Sequence, residues 1–380
     1  MAAGPHTPRG YSTGTTGGTG FPGGRAGRGT GPPVVDQPLA RAVPAGQDPA
    51  VAHPRTDPTA VATDPRVPAD AVPRTAPVPP ELPAGVHGEA AVEVLRMSAF
   101  AARPHGGNPA GVVLDAAAWS EERMQAVAVE VGYAETAFVV DAAVGGDPRH
   151  VRVRYFSPAA EVPFCGHATI ATAVALAARR GVGPFTVDTA VGPVAIETAL
   201  DDGGRVAASF TSVEPAVRDL DDAVATRLLG LLGLRRADLD ARWPLREAFA
   251  GNWHPVVAVR ERGVFDGFTF APAAVRALMD EQGWAGTVTV VHAPGDGSPA
   301  PGVTLVEARN LFPVGDITED PATGAAAAAL GAYLRAEELI AVPARVVVHQ
   351  GHHVGRPSVL AVDVPVAGGI TVSGTAVPLP

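Results

Sequence analysis

From Val92 onward the chain alternates short apolar runs with turn residues, and only a few stretches carry the longer period of a helix. VEVLRMSAF, starting at Val92, reads as a strand, and GGNPAGVVLD, starting at Gly106, as a Gly/Asn/Pro turn feeding a second strand. Ser120 stands where an N-cap belongs, Glu121 and Glu122 occupy the positive first turn, and Gly132 can close that helix in the left-handed region. HVRVRYF (150–156) alternates cleanly, a strand with one wet face, and PFTVDTAVGPVAIETA (184–199) reads as two strands joined by a turn. Further strands are expected near Val256–Arg260, Thr287–His292, Val303–Glu307, Arg345–His349 and Val359–Val364, with a helix at Pro272–Gln282 begun by its proline.

Two segments differ from the rest. EVPFCGHATIATAVALAA (161–178) and DITEDPATGAAAAALGAYL (316–334) each place acidic and small residues directly before an Ala-rich apolar run, predicting one buried helix over 168–180 closed by Gly181 and another after Gly324. One such helix per half among many strands implies an α+β fold in which each half wraps a sheet around its helix. Gly166 and Gly324 mark equivalent places in a weak internal repeat, which divides the folded part into 91–214 and 215–380, the last strand being able to return to the first domain.

Composition removes the first 90 residues from this picture. They hold 14 Gly and 17 Pro with only Tyr11 and Phe21 aromatic, so 1–90 is expected to be a disordered tail, an inert extension in preference to a flexible partner-binding arm, or else the product of a mis-called start. Its seven Arg balance seven Asp/Glu, so the net charge of −10 sits on the remainder and argues against a nucleic-acid or anionic-membrane partner. No signal-peptide core and no unbroken apolar run of about 18 residues is present, the pattern of a soluble cytoplasmic protein. The chain has no lysine, which excludes a Schiff-base enzyme and a P-loop. Cys165 is the only cysteine, so no intrachain disulfide, thiolate zinc cluster or two-thiol racemase mechanism is open to it. His349, His352 and His353 lack a neighbouring carboxylate or Cys at ligand spacing, so no metal is expected.

The chemistry then falls on a few residues. A helix N-terminus exposes unpaired N–H groups, and two of them make a trap for an anionic substrate. Glu135 opens the apolar run TAFVV, where a carboxylate is partly desolvated and suited to general base work. His167 at one helix start and Asp320 before the other complete the outline of a proton-transfer site for a small carboxylated substrate. The plainer readings are a solvated strand-start Glu135, a helix-end His167, an Asp320 that only complements a helix dipole, and a Cys165 buried as a small apolar residue.

GGNPAGVVLD, ETAFV, RYFSPAAEVPFCGHATIA, EDPATGA and QGHHVGRPS, in that order, resemble the PhzF family of phenazine-biosynthesis isomerases, whose fold is that of diaminopimelate epimerase. The resemblance covers about Val92 to the C-terminus. It implies two similar domains, each a barrel-like sheet around a central helix, a site in the cleft between them, no cofactor, and a homodimer. It makes Glu135 the acid/base, with His167 and Asp320 assisting, and Asn108, Gly166, Gly324 and Ala325 lining the substrate pocket. Ala325 and Ala327 stand where the family usually has Ser and His, and His105 where it commonly has an aromatic residue. The implied activity is cofactor-independent isomerisation similar to that of dihydro-hydroxyanthranilate isomerase. An epimerase or racemase using the same cleft, and a non-catalytic small-molecule binding protein, remain as alternatives.

Overall fold

The computed structural model describes residues 93–380 except 296–299, 301 and 315–316, so the expected tail 1–90 lies outside the described residues. β1 (Leu95–Ala99) and β2 (Asn108–Val113) pair antiparallel, and α1 (Glu121–Val131) follows. Ser120 caps α1 by accepting from the Arg123 backbone N–H, and Gly132 ends it at φ 68°. β3 (Glu135–Asp141) runs parallel to β2 and antiparallel to β4 (His150–Phe156). The short β5 (Glu161–Val162) pairs with the end of β4 and leads into α2 (Gly166–Arg180). β6 (Gly183–Thr189), β7 (Gly192–Leu200) and β8 (Val206–Thr211) then form an antiparallel meander, β6 also lying parallel to β4.

The second half begins with β9 (Ala216–Asp219) and α3 (Asp222–Leu231), then β10 (Arg246–Phe249) and β11 (Trp253–Ala258). α4 (Arg262–Gly267) and α5 (Pro272–Gln282) precede β12 (Val288–His292), β13 (Val303–Val314) and β14 (Ile317–Asp320). α6 (Gly324–Ala336) is followed by β15 (Ala344–Gln350), β16 (Ser358–Val364) and β17 (Thr371–Pro378). β17 pairs antiparallel with β16, with β8 and with β1, so the final strand hydrogen-bonds to strands from both halves.

The two Ala-rich helices are the axes of this architecture. Every residue of α2 from His167 to Ala177 is buried, and the helix packs against β1, β2, β3, β7, β8 and β17. α6 is buried across 326–334 and packs against β9, β10, β11, β16 and β17. Small side chains permit this close wrapping: a Cβ on Gly331 of α6 would lie 2.9 Å from Ile370 Cγ2 and 3.0 Å from Val362 Cγ1. The α+β fold inferred from the hydrophobic pattern is the one observed.

Three local differences have physical causes. α2 starts at Gly166 rather than 168, because the Cys165 carbonyl already accepts from the Thr169 N–H. β13 runs well past the expected Glu307, since its far end pairs with both β12 and β14. α3 was not anticipated; Asp221 caps it through the N–H groups of Ala223 and Val224, and Leu228 and Leu229 bury against a separate core with Leu278 and Trp284.

Candidate active site

Asn108 and Glu135 are the first residues of two adjacent parallel strands, β2 and β3. The turn before Asn108 needs glycine: Gly107 sits at φ 77°, and a Cβ there would come within 2.5 Å of the Ala99 carbonyl oxygen. Arg356, about 250 residues away, holds this turn by donating from Nε to the Gly107 carbonyl at 2.7 Å and from Nη2 to the Gly106 carbonyl and Ser98 Oγ, each at 3.0 Å. The backbone that presents Asn108 is therefore fixed from the other half of the chain.

From Asn108 a hydrogen-bonded line crosses the site. Its Nδ2 donates to Asp320 Oδ1 at 2.7 Å and to the Ala322 carbonyl at 3.0 Å, and it faces His167 Nδ1 at 3.2 Å. Two oxygen acceptors fix the amide orientation, so Nδ1 is the acceptor and the imidazole proton sits on Nε2. That Nε2 lies 3.4 Å from Glu135 Oε2. The Cys165 thiol donates to the same oxygen at 3.4 Å. The Glu135 side chain is only 18% exposed and that of His167 8%, so the pair is largely withdrawn from water without being sealed off.

Asp320 is held from its other side too. Its Oδ2 accepts from Thr323 Oγ1, while buried Gln350 donates from Nε2 to the Asp320 carbonyl at 2.6 Å and to Thr323 Oγ1 at 3.0 Å. Both carboxylate oxygens thus receive donors, the arrangement of an ionised group. Desolvation nevertheless pushes the Asp320 pKa up to about 6, outweighing the lowering influence of the neighbouring His167 ring and the Thr323 hydroxyl. Burial, and next the negative Glu135, raise the Cys165 thiol well above its ordinary value. At neutral pH it is an S–H donor and a poor nucleophile, which agrees with the packing role expected for it but adds a hydrogen bond.

The starts of α2 and α6 converge on one ring. A Cβ on Gly166 would meet Phe210 Cζ at 3.5 Å and one on Gly324 would meet the same atom at 2.9 Å. Neither helix has a side-chain cap or an acidic residue in its first turn, so the N–H groups of Gly166, His167, Gly324 and Ala325 lack intrahelical acceptors. Ala325 is half-buried beside Gly324, whereas Ala327 is buried in the core. A cleft of about 330 Å³ opens alongside Asn108 and Asp320, with Tyr133, Thr318, Val354 and Arg356 on its walls.

The structure therefore brings Asn108, Glu135, His167 and Asp320 into one network, with Gly166, Gly324 and Ala325 at the adjoining helix starts. Other residues noted in the sequence fall elsewhere. His254 packs in the interior against Thr287, and burial lowers its pKa to about 4, so it is a neutral packing residue. His353 pairs with Asp266 at 3.0 Å while His349 and His352 are exposed. Glu161 is bound by Arg154, and Glu319 by the buried Arg309. Sequence reasoning missed Phe210, Gln350, Arg356 and the Cys165 contact; Gln350 and Arg356 lie within the QGHHVGRPS motif, which signalled them without assigning a task. The donor atoms of Glu135, Cys165 and His167 lie within 4.8 Å of one another, but Cys165 Sγ is nearer His167 Nδ1, at 3.3 Å, than Nε2, at 3.8 Å.

The α+β fold is shared with solved relatives. The phenazine biosynthesis protein of the PhzF family from Bacillus anthracis superposes with a TM-score of 0.65 at 27% identity, covering 76% of this chain and 97% of its own. In sequence, the chain is 31% identical over 297 residues to the uncharacterized isomerase YddE of Escherichia coli, covering 75% of this chain and 95% of that protein. It is 31% identical over 264 residues to the trans-2,3-dihydro-3-hydroxyanthranilate isomerase of Pseudomonas chlororaphis, covering 70% and 87%. Residues 97–379 match the family model PhzC-PhzF, described as phenazine biosynthesis-like protein. The chain belongs to this family, and it is an isomerase.

Proposed function

We propose that the protein is a cofactor-independent isomerase that moves a proton between two carbons of a small unsaturated or cyclic carboxylate, with Glu135 as the single acid/base. The observation that carries this reading is the placement of Glu135 Oε2 at 3.4 Å from both His167 Nε2 and Cys165 Sγ, beside two uncapped helix starts. Glu135 removes a proton from an activated carbon, the electron pair shifts through the adjacent double bond, and the carboxyl group delocalises the negative charge. The N–H groups at Gly166 and Gly324 stabilise that charge, and Glu135, its proton exchanging with solvent in between, then protonates the carbon at the far end of the shifted double bond. No atom is gained or lost, as an isomerisation requires.

The remaining residues position this carboxylate. Asp320 anchors Asn108, Asn108 holds the imidazole at Nδ1, and His167 thereby keeps its Nε2 edge 3.4 Å from the Glu135 carboxylate, while the Cys165 thiol donates to that oxygen. The relative that acts on trans-2,3-dihydro-3-hydroxyanthranilate supplies the first substrate to try. Ala325, where the family usually has Ser, leaves room for a related acid in its place.

The test is to incubate metal-free protein with trans-2,3-dihydro-3-hydroxyanthranilate and a panel of small unsaturated carboxylates in deuterium oxide, following products by NMR. Deuterium at a carbon that bore no exchangeable hydrogen in the substrate is expected. Deuterium at the original carbon with inverted configuration would make the protein an epimerase, and absence of both exchange and product would make it a binding protein.

A further inference from the structure

The cleft of about 330 Å³ beside Asn108 and Asp320 has the size of a small-molecule site, and its walls come from both halves of the chain. Ala134, the residue before Glu135, lines it with Tyr133, Thr318 and Arg356. The acids on its walls already have donors: Glu319 accepts from Nε and Nη2 of Arg309, and Asp320 from Asn108 and Thr323. Arg356 is the opposite case. Its Nε and Nη2 donate to the Gly107 and Gly106 carbonyls and to Ser98 Oγ, all neutral acceptors, and among the described residues Nη1 has no partner and no carboxylate pairs with the group. Burial holds this half-buried guanidinium below its ordinary pKa. Arg96 brings a second positive charge to Tyr133, its guanidinium carbon standing 5.3 Å from the centroid of that ring. A partly desolvated cation without a counter-ion, on the wall of a cavity, is a place for an anion from solution.

We infer that this cleft is an anion subsite, and that the substrate is a small dicarboxylate whose second carboxylate lies there against Arg356. The first carboxylate is the one held at the starts of α2 and α6, so the substrate class, though not the subsite itself, rests on the function proposed above. Arg356 then serves twice. Nε and Nη2 hold the turn that presents Asn108, and the two N–H bonds of Nη1 are left for the anionic arm, each a charge-assisted hydrogen bond. The arm fixes the substrate at a point away from the reacting carbons, which is where binding energy can be used to orient it against Glu135. Trans-2,3-dihydro-3-hydroxyanthranilate, with a single carboxyl group, leaves the cleft without its anion and is a poorer fit than an unsaturated dicarboxylate.

The test is calorimetric titration of the full-length protein with malonate, succinate, glutarate and adipate, each against the monocarboxylate of the same chain length, propionate to hexanoate. The flexible series covers a range of separations between the two carboxylates. At least one dicarboxylate should bind at least ~10-fold more tightly than its monocarboxylate, the gain expected of hydrogen bonds to a charged group. Arg356→Gln removes the charge and should erase that gain. Because Arg356 also holds the turn before Asn108, a second variant is needed: Thr318→Glu sets a carboxylate at an exposed position of the cleft without touching the turn. It should erase the gain by repulsion while leaving monocarboxylate affinity within about threefold. A gain that survives Arg356→Gln would overturn the subsite; if that variant loses both series, Thr318→Glu decides, and a gain surviving there would overturn it. Monocarboxylates that bind wild type as tightly as every dicarboxylate would also overturn the subsite but leave the proposed function standing. A dicarboxylate that binds through Arg356 while no monocarboxylate binds would uphold the subsite and count against the helix-start trap, and binding by neither series would overturn both.

Discussion

α2 and α6 are alike in composition, burial and surroundings, yet their N-termini differ in what they carry. The start of α2 is loaded: Cys165 and His167 both reach Glu135. The start of α6 is bare, with Gly324 and Ala325 in its first turn, and its one ionisable group, Asp320, is turned toward Asn108 and Thr323. On the proposed mechanism, one end holds the proton-carrying group while the other offers backbone donors and is linked to the first through Asn108. The proposed mechanism thus divides the work between a reactive end and a supporting end, joined by the buried Asn108 amide.

If that division is right, damage at the reactive end should exceed damage at the supporting end. Glu135→Gln is nearly isosteric and should keep the melting temperature within about 2 °C while lowering kcat at least ~100-fold. A variant retaining a tenth or more of wild-type turnover would reverse the comparison.

Asp320→Asn should have a smaller effect on turnover, about 5- to 50-fold, through loss of a positioning charge. Its signature is in pH. The native pKa of about 6 exceeds the ordinary 3.8, so the folded state holds this proton more tightly than the unfolded chain does. The stability it contributes is fully present below about pH 3.8 and is lost as pH rises through about 6. Above that the buried carboxylate costs stability, and Asp320→Asn should gain about 1–3 kcal/mol at pH 7.5 and nothing at pH 3.5. In the wild type, kcat/KM should fall as pH drops through about 6, where Asp320 takes up its proton; this limb should be missing from the variant. Equal denaturant midpoints at pH 7.5 would place the carboxylate in water.

The two glycines sharpen the comparison at the level of packing. Gly324→Ala places a methyl 2.9 Å from Phe210 Cζ and 3.3 Å from Cε1, forcing the buried ring to move, and should cost about 1 kcal/mol. Gly166→Ala meets the same ring at an ordinary 3.5 Å and should be neutral or slightly stabilising. Chemical denaturation of both variants checks the order. The smallest effect is expected from Cys165→Ser, which keeps a hydroxyl donor for Glu135 and should leave turnover within about threefold.

The strand-and-helix pattern made most of the architecture legible, because turn glycines, the Ser120 cap and the two Ala-rich runs are local signals. α3 and the true length of β13 were not, since they depend on a separate core and on partners on both sides of one strand. In the site, Glu135, His167, Asn108 and Asp320 were legible through their motifs. What the motifs could not express is direction: that Asn108 links Asp320 to His167, or that Arg356 ties down Gly106 and Gly107, is set by strands about 200 residues or more apart in the chain. Phe210 carried no signal at all, because its role is to be the surface that two glycines approach.

The central claim, that one carboxylate at the start of β3 carries the proton, is tested most directly by deuterium incorporation compared across three proteins under identical conditions. Wild type and Asp320→Asn should both place deuterium at the new carbon, the variant more slowly, and Glu135→Gln should show none above the uncatalysed background. Label entering the product at a wild-type rate in Glu135→Gln would contradict the account and move the chemistry to another residue.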